Sequence, residues 1–267
     1  MNLKIATAYH NYKLELFVLK NDLLRYICHF TSKRRAGRIS TMKLGYWNVR
    51  GLCSPIRYLL EYVGAEYDEV RYETSDAPKW QDDKTSLGME FPNIPYLFDD
   101  DDLKLTQSMA ILRYLGGKYQ LTGVQLNSSR SPLQQKAIVD MVEQQLHDLR
   151  MSYVYYGFGV KDELDWIAPE GLIKAIPRFL KPWSNRLENR RFLFGDEISY
   201  VDFLLFEILD IFQILDAGVI DTPETKSLRT YYNHVRALPK LKAYLESERH
   251  ISWPVFGPSA EVWGHIK

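Results

Sequence analysis

The residues best suited to chemistry follow the first predicted β-strand. Residues 43–47 are typical of a short buried strand, and Ser54-Pro55 is typical of a helix start, as N-cap and first helical residue. Residues 48–53 are therefore the loop at the carboxyl end of this strand, where open α/β sheets place ligands. Tyr46 brings a phenol hydroxyl to this loop, although one tyrosine among 18 is equally typical of a packed core.

A cysteine lies at the end of the same loop. Cys53 can be interpreted as a reactive thiol beside a helix start, but a small buried or half-exposed side chain is the favoured interpretation. Cys28 is the other cysteine of the chain. Two cysteines are too few for a disulfide framework or a thiolate metal site, so no metal is predicted and a reducing compartment is expected.

Two further positions combine polar residues with a predicted helix. Gln107 and Ser108 begin a strongly periodic helix, whose first amides suit an anionic group. Plain helix capping also explains Ser108, and the two roles are compatible. Trp80 and Lys84 are four residues apart, a spacing that places them on one face of a short helix.

The elements that position these residues are strands and helices in alternation. Apolar residues of one helical face follow Pro55, and Gly64 ends that helix. Residues 67–72 alternate as a second strand, and residues 93–97 and 103–105 are typical of two short strands joined by an acidic turn. With the helix that begins near residue 106, the order is βαβ followed by ββα.

The remainder of the chain is predicted to be helical. Residues 121–132 have linker composition, and the pattern beyond them is helical to the end. Ser199 and Asp202 fit a capping box before the apolar run 203–215, which we expect to form a central buried helix. The sequence therefore predicts an α+β half followed by an all-α half.

Composition excludes several classes of function. The 34 basic and 34 acidic residues cancel, which argues against nucleic acid as a partner because phosphate binding needs a basic field. Apolar runs are too short to cross a bilayer, so no membrane association is predicted. Residues 1–42 form a basic extension with eight Lys and Arg and two acidic residues, so its net charge is +6 and that of the remainder is −6. We expect this extension to be disordered or loosely helical and to contribute little to the fold.

Three segments of the chain resemble mu-class glutathione transferases. They are residues 45–52 (GYWNVRGL), 91–97 (FPNIPYL) and 106–115 (TQSMAILRYL). The segments have the order and spacing of that family, and the likeness runs from about Met42 to the C-terminus. The resemblance implies a thioredoxin-like glutathione-binding domain at 43–125, an all-helical substrate-binding domain at 131–267 and a homodimer whose active sites each borrow groups from the partner subunit.

The activity implied by the resemblance is the addition of the glutathione thiolate to hydrophobic electrophiles, a cytoplasmic detoxification reaction. Glutathione is a co-substrate, and no cofactor is expected. A free thiol with a pKa of about 8.5 is only a few per cent ionised at neutral pH, so the enzyme gains by stabilising the anion. A phenol that donates a hydrogen bond to the sulfur lowers the thiol pKa, and the resemblance implies this catalytic role for Tyr46.

The resemblance also assigns contacts to the cysteinyl and glycyl parts of glutathione. Ile94-Pro95 is similar to the family's cis-proline turn, which would direct the Ile94 amide and carbonyl toward the cysteinyl part like an added strand. Contacts with the glycyl carboxylate are implied for Trp80, Lys84 and Asn93.

The γ-glutamyl arm would be held at the opposite end of the site. Gln107 and Ser108 would offer amides and a hydroxyl to its carboxylate. Trp47 would close over the arm, although a tryptophan beside a strand is as often packed in a core. Asp148 matches the acidic residue that crosses the dimer interface toward the glutamyl amine, and this assignment depends on the resemblance alone.

The electrophile pocket implied by the resemblance is mostly apolar. Its residues are Val49, Leu52, Arg150, Met151, Tyr155, Phe158 and Phe256. The family has a second tyrosine ten residues after the interface aspartate, and counting from Asp148 gives Phe158, which lacks the hydroxyl. Tyr153, Tyr155 or Tyr156 would supply that hydroxyl if the helix register differs.

The chain also departs from the vertebrate pattern. The segment between Tyr72 and Trp80 is several residues shorter, and the family arginine expected before Trp80 has no clear counterpart. Three alternative functions remain: a carrier of hydrophobic ligands with little turnover, a glutathione-dependent isomerase of the prostaglandin-synthase type, and a structural or interaction module. Retention of Tyr46 argues against a carrier, and the Trp that follows Tyr46 argues against the isomerase. The structural module is disfavoured because no extra domain follows the helical half.

Overall fold

The computed structural model describes residues 42–264, with the exception of 74, 76, 101, 126 and 127. The prediction for the basic extension at 1–42 lies outside the described residues, apart from Met42, which is the first residue of a strand. The predicted fold class is confirmed: a thioredoxin-like βαβ-ββα region with a mixed sheet precedes an all-helical region.

Four strands form the sheet in the order β2-β1-β3-β4. β1 is parallel to β2 and antiparallel to β3, which is antiparallel to β4. β1 is internal and buried at Leu44, Gly45 and Tyr46, which explains its nearly continuous apolar sequence. The strands are β1 (Met42–Trp47), β2 (Tyr67–Tyr72), β3 (Tyr96–Asp99) and β4 (Leu103–Thr106).

Three helices accompany the sheet: α1 (Ser54–Val63), α2 (Ala77–Ser86) and α3 (Ser108–Lys118). Gly64 ends α1 in the left-handed conformation, at φ 71°, as predicted. The predicted N-cap is wrong by one residue, because Cys53 occupies that position and the Ser54 hydroxyl donates to the Arg50 carbonyl oxygen (3.3 Å). The third strand was also predicted too early. It begins at Tyr96, since a cis peptide bond between Ile94 and Pro95 turns the chain just before it.

The second half of the chain contains six helices within the described residues. They are α4 (Pro132–Gly157), α5 (Lys161–Ile167), α6 (Leu172–Leu187), α7 (Tyr200–Leu215), α8 (Lys226–Arg236) and α9 (Pro239–Leu245), with a 3₁₀ turn at Pro223–Thr225. The expectation of helix to the end of the chain is wrong. Residues 246–264 form neither helix nor strand, and they follow an irregular path stabilised by backbone hydrogen bonds to the rest of the protein.

α7 is the central buried helix that its apolar sequence predicts. The predicted capping box is present: the Ser199 amide donates to Asp202 Oδ2 (2.8 Å), and so does the Ser199 hydroxyl (2.6 Å). All but a few residues of α7 are buried. Its Phe206 ring meets Tyr58 of α1 edge to face, with ring centroids 5.5 Å apart. One hydrophobic core therefore joins the sheet region to the helical region.

Candidate active site

The strand register brings three predicted site segments to one edge of the sheet. Trp47, at the end of β1, pairs with Tyr72, at the end of β2. Gly45 pairs with Tyr96, the first residue of β3, and Tyr96 pairs with Thr106, the last residue of β4. The end of β1, the cis turn before β3 and the start of α3 after β4 therefore lie side by side.

Tyr46 is at this edge and is almost fully buried, at 7% exposure. The Leu52 amide donates a hydrogen bond to Tyr46 Oη (3.1 Å). Burial raises the pKa of the Tyr46 phenol to about 12, against opposing contributions from the Leu52 amide, Arg57 and Arg150. The hydroxyl is thus protonated at neutral pH, and because it accepts from Leu52 its own proton is available to a further acceptor.

Gly51 is required for this arrangement. Its φ of 47° lies in the left-handed region, which residues with a Cβ seldom adopt. A Cβ added to Gly51 would lie 2.5 Å from Tyr46 Oη. The glycine therefore lets the loop backbone lie against the phenol.

The loop at 48–53 is held by segments that are distant in sequence. The Arg50 amide donates to the Pro254 carbonyl oxygen (3.0 Å), and the Gly51 amide donates to that of Val255 (2.8 Å). From α1, Arg57 Nη1 donates to the Val49 carbonyl oxygen (2.8 Å). The C-terminal segment and α1 together fix the backbone that carries the Leu52 amide.

Two buried arginines anchor the same loop through carboxylates. Arg50 Nη2 lies 2.6 Å from a Glu207 oxygen and 2.8 Å from an Asp210 oxygen, both on α7. Arg57 Nε lies 2.6 Å from Glu69 on β2. Each charge is paired inside the protein, so these arginines fix the loop and are not available to a ligand.

Cys53 is confirmed as a buried side chain. It is fully buried, and burial raises the pKa of its thiol to about 12. A thiol that stays protonated and inaccessible cannot act as a nucleophile at neutral pH. This excludes the reactive-thiol interpretation of Cys53.

The predicted cis bond between Ile94 and Pro95 is confirmed. The Ile94 amide donates to Oδ1 of Asn93 (2.9 Å), so in the free protein the Asn93 side chain occupies the donor that was predicted to bind a peptide ligand. Asn93 is exposed and Ile94 is half-buried. A ligand that pairs with the Ile94 amide must therefore displace the Asn93 side chain.

The helix predicted around Trp80 and Lys84 is α2. Trp80 is buried; its ring stacks on Tyr96 (6.5 Å between centroids, 19° between planes) and meets Tyr72 edge to face (5.5 Å). Trp47 also meets Tyr72 edge to face, with ring centroids 6.1 Å apart. Both tryptophans therefore contact Tyr72 at the end of β2, and Lys84 is half-buried one turn after Trp80.

At the third segment, Gln107 is exposed and immediately precedes α3, whose first residue is the buried Ser108. Gln107 has a φ of 71°, so the chain turns sharply from β4 into the helix. The Gln107 side chain makes no capping hydrogen bond to α3. The first amides of α3 therefore remain suited to an anion at the sheet edge.

A cavity of about 410 Å³ opens beside Tyr46. Four of the predicted electrophile-pocket residues line it, and Arg150, Met151 and Tyr155 are not among the lining residues. Val154 could have been found from helical periodicity, since it lies on α4 one turn before Phe158, the C-cap residue of that helix. No periodic pattern in the sequence predicts that residues 257–259 line the cavity. The lining residues are Tyr46, Trp47, Val49, Leu52, Val154, Phe158, Phe256, Gly257, Pro258 and Ser259.

The position of Phe158 bears on the missing hydroxyl. Its ring lies 5.0 Å from that of Phe256, between centroids, and Phe158 is 39% exposed. Tyr153 is buried and Tyr156 packs on Trp263 (5.5 Å). Tyr153, Tyr155 and Tyr156 are all absent from the lining of the cavity, so none of them replaces the phenol that Phe158 lacks.

Asp148 faces a different concavity. It is exposed and lines a groove of about 580 Å³ along α4 and α6, beside Met141, Phe179 and Trp183. Met141 is 61% exposed. Asp148 is not among the residues that line the cavity beside Tyr46 in the same chain.

Comparisons with known proteins identify the family. The model for the glutathione S-transferase N-terminal domain matches residues 42–117, and the C-terminal domain model matches residues 147–248. The chain is 40% identical over 213 residues to the class-mu 26 kDa isozyme 51 of Fasciola hepatica, covering 80% of this chain and 92% of the relative. It is 40% identical over 224 residues to Glutathione S-transferase Mu 1 of Mus musculus, covering 82% and 97%.

Solved structures agree with these relatives. The pi-class glutathione S-transferase of Onchocerca volvulus matches with a TM-score of 0.65 at 29% identity, covering 83% of this chain and 100% of that one. The glutathione S-transferase Blo t 8 matches with a TM-score of 0.66 at 30% identity, covering 84% and 100%. The chain belongs to the mu class of the glutathione S-transferase family and has glutathione transferase activity.

Two features are absent from the described residues. No helix among them combines the length and apolar character that crossing a membrane requires. Within the same residues, no three His, Cys, Asp or Glu side chains are grouped so that they could hold a metal ion.

Proposed function

We propose that Tyr46 is the catalytic residue that stabilises the glutathione thiolate. The observation that carries this proposal is the geometry of its hydroxyl, which accepts from the Leu52 amide and keeps a proton to donate at the mouth of an apolar cavity. Donation to the thiolate favours the anion over the thiol, so the thiol pKa falls toward neutral pH. The Tyr46 phenol, with its pKa raised to about 12 by burial, remains protonated while it does so.

The reaction is nucleophilic addition or substitution at a hydrophobic electrophile. With an aryl halide, the sulfur–carbon bond forms first and the ring carries the negative charge. The carbon–halogen bond then breaks, halide leaves, and the thiol proton has already been released to solvent. The apolar lining of the cavity, which includes Val49, Leu52, Val154, Phe158 and Phe256, suits acceptors of this kind. Glutathione is a co-substrate, and the proposed reaction uses no cofactor.

Glutathione would lie along the sheet edge, in the region 43–125. Its cysteinyl part would pair with the Ile94 backbone after displacing Asn93, and its glycyl carboxylate would lie near Trp80 and Lys84. The adjacent strand ends support this path. The acceptor would be bound mainly by the helical region 131–267.

The γ-glutamyl arm would lie at the start of α3. Its carboxylate would bind Gln107 and Ser108 at the N-terminus of this 11-residue helix. Trp47, which is half-buried at the end of β1, would close over the arm.

We also propose that the active enzyme is a homodimer. Phe91 is 69% exposed just before the cis turn, and the groove beside Met141, Phe179 and Trp183 is an apolar surface on the same chain. A two-fold axis brings the same two surfaces together twice, so each exposed ring can fill the groove of the partner. Asp148, which lines this groove, would then reach the neighbouring active site and bind the glutamyl amine.

The dimer is tested by exchanging one exposed apolar residue for a charge. Phe91→Asp should convert a species of twice the 31.3 kDa chain mass into a monomer in sedimentation equilibrium. Leu133→Asp is the matched control, because Leu133 is 77% exposed and lies outside the groove. A Phe91→Asp protein that stays dimeric and fully active would overturn this interface.

The transferase proposal is tested by turnover of 1-chloro-2,4-dinitrobenzene with glutathione, together with retention on immobilised glutathione. Both are expected. Retention without turnover of any electrophile would instead favour a hydrophobic-ligand carrier, and turnover restricted to isomerisation would favour the glutathione-dependent isomerase.

The compartment is proposed to be the cytoplasm. The buried free thiol of Cys53 is compatible with a reducing environment, in which glutathione is also kept as the thiol.

A further inference from the structure

A further cavity lies between the end of α6, the 3₁₀ turn at Pro223–Thr225 and α8. Its volume is about 480 Å³, which is within the range of small-molecule sites and larger than a single inorganic anion requires. None of its lining residues lines the cavity beside Tyr46 or the groove that contains Asp148. The cavity is therefore separate from both the acceptor pocket and the proposed dimer interface.

Three cationic side chains line this cavity: Arg190, Arg191 and Lys226. All three residues are exposed, and none of them forms an ion pair with a carboxylate in the described part of the chain. Exposed arginines elsewhere do find such partners, since Arg178 and Arg249 each bind a glutamate. The cavity therefore collects positive charges that the protein leaves unpaired.

The guanidinium of Arg191 is held by two aromatic neighbours. Its Nε donates to Nε2 of His234 (2.7 Å), and its Cζ lies 5.5 Å from the centroid of the Phe192 ring. Burial first, and then the charge of Arg191, lower the pKa of His234, so the imidazole is neutral at pH 7 and accepts this hydrogen bond. Within the residues that the structure describes, the two terminal nitrogens of Arg191 have no hydrogen-bond partner. They remain as a fork of donors for an anion.

The rest of the lining gives the cavity a fixed, partly apolar wall. The Ser184 hydroxyl of α6 donates to the Glu224 carbonyl oxygen (2.6 Å), and the Ser227 hydroxyl of α8 donates to the Ser184 carbonyl oxygen (2.7 Å). These bonds join the two helices beside the cavity. Leu187 and Tyr231 line it as buried residues. The lining thus combines unpaired charge with buried apolar surface.

The balance of charge favours an anion. The carboxylates of Glu188 and Glu224 also line the cavity, so with three cations and a neutral His234 the lining has a net charge of +1. A divalent cation would need grouped carboxylates, and the described residues contain no such group.

We propose that this cavity binds a phosphorylated small molecule, with its phosphate at Arg190, Arg191 and Lys226 and its organic part against Leu187 and Tyr231. A phosphate monoester has a charge of about −1.5 to −2 at pH 7 and three acceptor oxygens, which suits several donors better than a carboxylate with one charge and two oxygens. This inference goes beyond the proposed transferase function and does not depend on it.

The test is isothermal titration calorimetry of the full-length protein with phenyl phosphate, benzoate and inorganic phosphate. S-hexylglutathione is present at saturation, so that the glutathione and acceptor sites are occupied. Phenyl phosphate should bind saturably, with an affinity on the order of tenfold higher than that of benzoate, which has less charge and fewer oxygens. It should also bind about tenfold more tightly than inorganic phosphate, which has no ring to bury.

Variants locate the binding site. Arg191→Gln and Lys226→Gln should each weaken phenyl phosphate binding about tenfold, because each removes a charged donor. Lys174→Gln is the matched control, since Lys174 is exposed on α6 and does not line the cavity. Glu224→Gln removes a repelling charge and should tighten binding about threefold. Circular dichroism and an unchanged aryl halide turnover establish that each variant is folded.

Several outcomes would overturn the proposal. They include no saturable binding of phenyl phosphate, and an affinity in Arg191→Gln and Lys226→Gln equal to that of Lys174→Gln. Weaker binding in Glu224→Gln would mean that this carboxylate recognises the ligand, which contradicts an anion. Benzoate or inorganic phosphate that binds as tightly as phenyl phosphate would exclude the proposed ligand class. Binding that disappears when S-hexylglutathione is added would place the ligand in the transferase site instead.

Discussion

The two sides of the active site are built in different ways. On the glutathione side, the strand ends of one sheet place Trp47, the cis turn at Ile94-Pro95 and the start of α3 next to one another. On the acceptor side, the cavity is formed by side chains from three segments: the loop after β1, the end of α4 and the C-terminal tail. The register of the paired strands leaves the backbone on the glutathione side little freedom, whereas the three segments on the acceptor side can change independently of one another. The first side therefore suits a constant co-substrate and the second a variable one.

The largest effect is expected where the two sides meet, at Tyr46. Tyr46→Phe removes the donor to the sulfur and keeps the carboxylate contacts, so glutathione binding should persist while turnover at neutral pH falls about 100-fold, within a range of roughly 10- to 1000-fold. The measurements are kcat with an aryl halide and the pKa of bound glutathione. Tyr67 is the first residue of β2, and its hydroxyl donates to Glu61 of α1, so Tyr67→Phe is the matched control. An unchanged thiol pKa in Tyr46→Phe would remove Tyr46 from catalysis.

The sequence predicted the glutathione side better than the acceptor side for a physical reason. Turn and helix-start residues such as Pro95 and Ser108 require particular backbone conformations, so their types mark the elements directly. The capping box at Ser199 was found in this way, whereas the cis bond before Pro95 was implied by the resemblance to the family's cis-proline turn. The acceptor side depends on packing between segments about 100 residues apart, such as Val154 and Pro258. Nothing local in a sequence records such contacts.

The incorrect sequence predictions also concern features that depend on tertiary contacts. The first helix was assigned Ser54 as its N-cap, because serine is the commoner cap, but here tertiary contacts of the loop determine the boundary. Arg150 was assigned to the cavity wall, but it is buried on α4 and is not among the residues that line the cavity. The path of residues 246–264 was expected to be helical, and it is fixed instead by contacts such as the one with the Gly51 amide.

A second prediction tests whether the shared loop serves both sides. Gly51→Ala would place a Cβ 2.5 Å from Tyr46 Oη in a conformation unfavourable for alanine, so the phenol or the loop must move. We expect kcat/KM to fall about 30-fold for every electrophile, since misplacing a reacting group by about 1 Å can cost on the order of 100-fold.

The control for this change is another glycine-to-alanine exchange. Gly117 lies in α3, and a Cβ there meets nothing within 4 Å, so Gly117→Ala should leave activity intact and increase stability slightly. If Gly51→Ala folds and retains full activity, the loop at 48–53 tolerates more change than its contacts indicate. The conclusion that this loop serves both the glutathione side and the acceptor side would then be wrong.

A third prediction concerns the acceptor side alone. Phe256 is buried and its ring contacts Tyr153 (6.2 Å) and Phe158 (5.0 Å), so Phe256→Leu widens the cavity wall with little change elsewhere. The KM for an apolar acceptor should rise on the order of tenfold, while the KM for glutathione stays constant. Both constants come from steady-state kinetics with one substrate saturating. A parallel rise in the two KM values would show that the tail supports the glutathione side as well.

The smallest expected effect distinguishes one acceptor from another, at Phe158. When glutathione attacks an epoxide or an enone, an oxygen of the acceptor gains negative charge, and a nearby hydroxyl can donate to it. Phe158 has the position at the cavity for such a donor but lacks the hydroxyl. Phe158→Tyr should therefore raise epoxide turnover about fivefold, which corresponds to a hydrogen bond of about 1 kcal/mol.

An aryl halide provides the internal comparison for Phe158→Tyr. Its negative charge goes into the electron-poor ring, away from any oxygen that a phenol at residue 158 would reach, so its rate should stay within about twofold of the wild-type value. Tyr156→Phe is the matched control, because the Tyr156 ring packs on Trp263 and does not line the cavity, and neither rate should change. If Phe158→Tyr changes both rates together, the hydroxyl acts on the thiolate or on packing rather than on the acceptor oxygen. If neither rate changes, a phenol at residue 158 does not reach the acceptor, and the specificity of this side is determined elsewhere in the cavity.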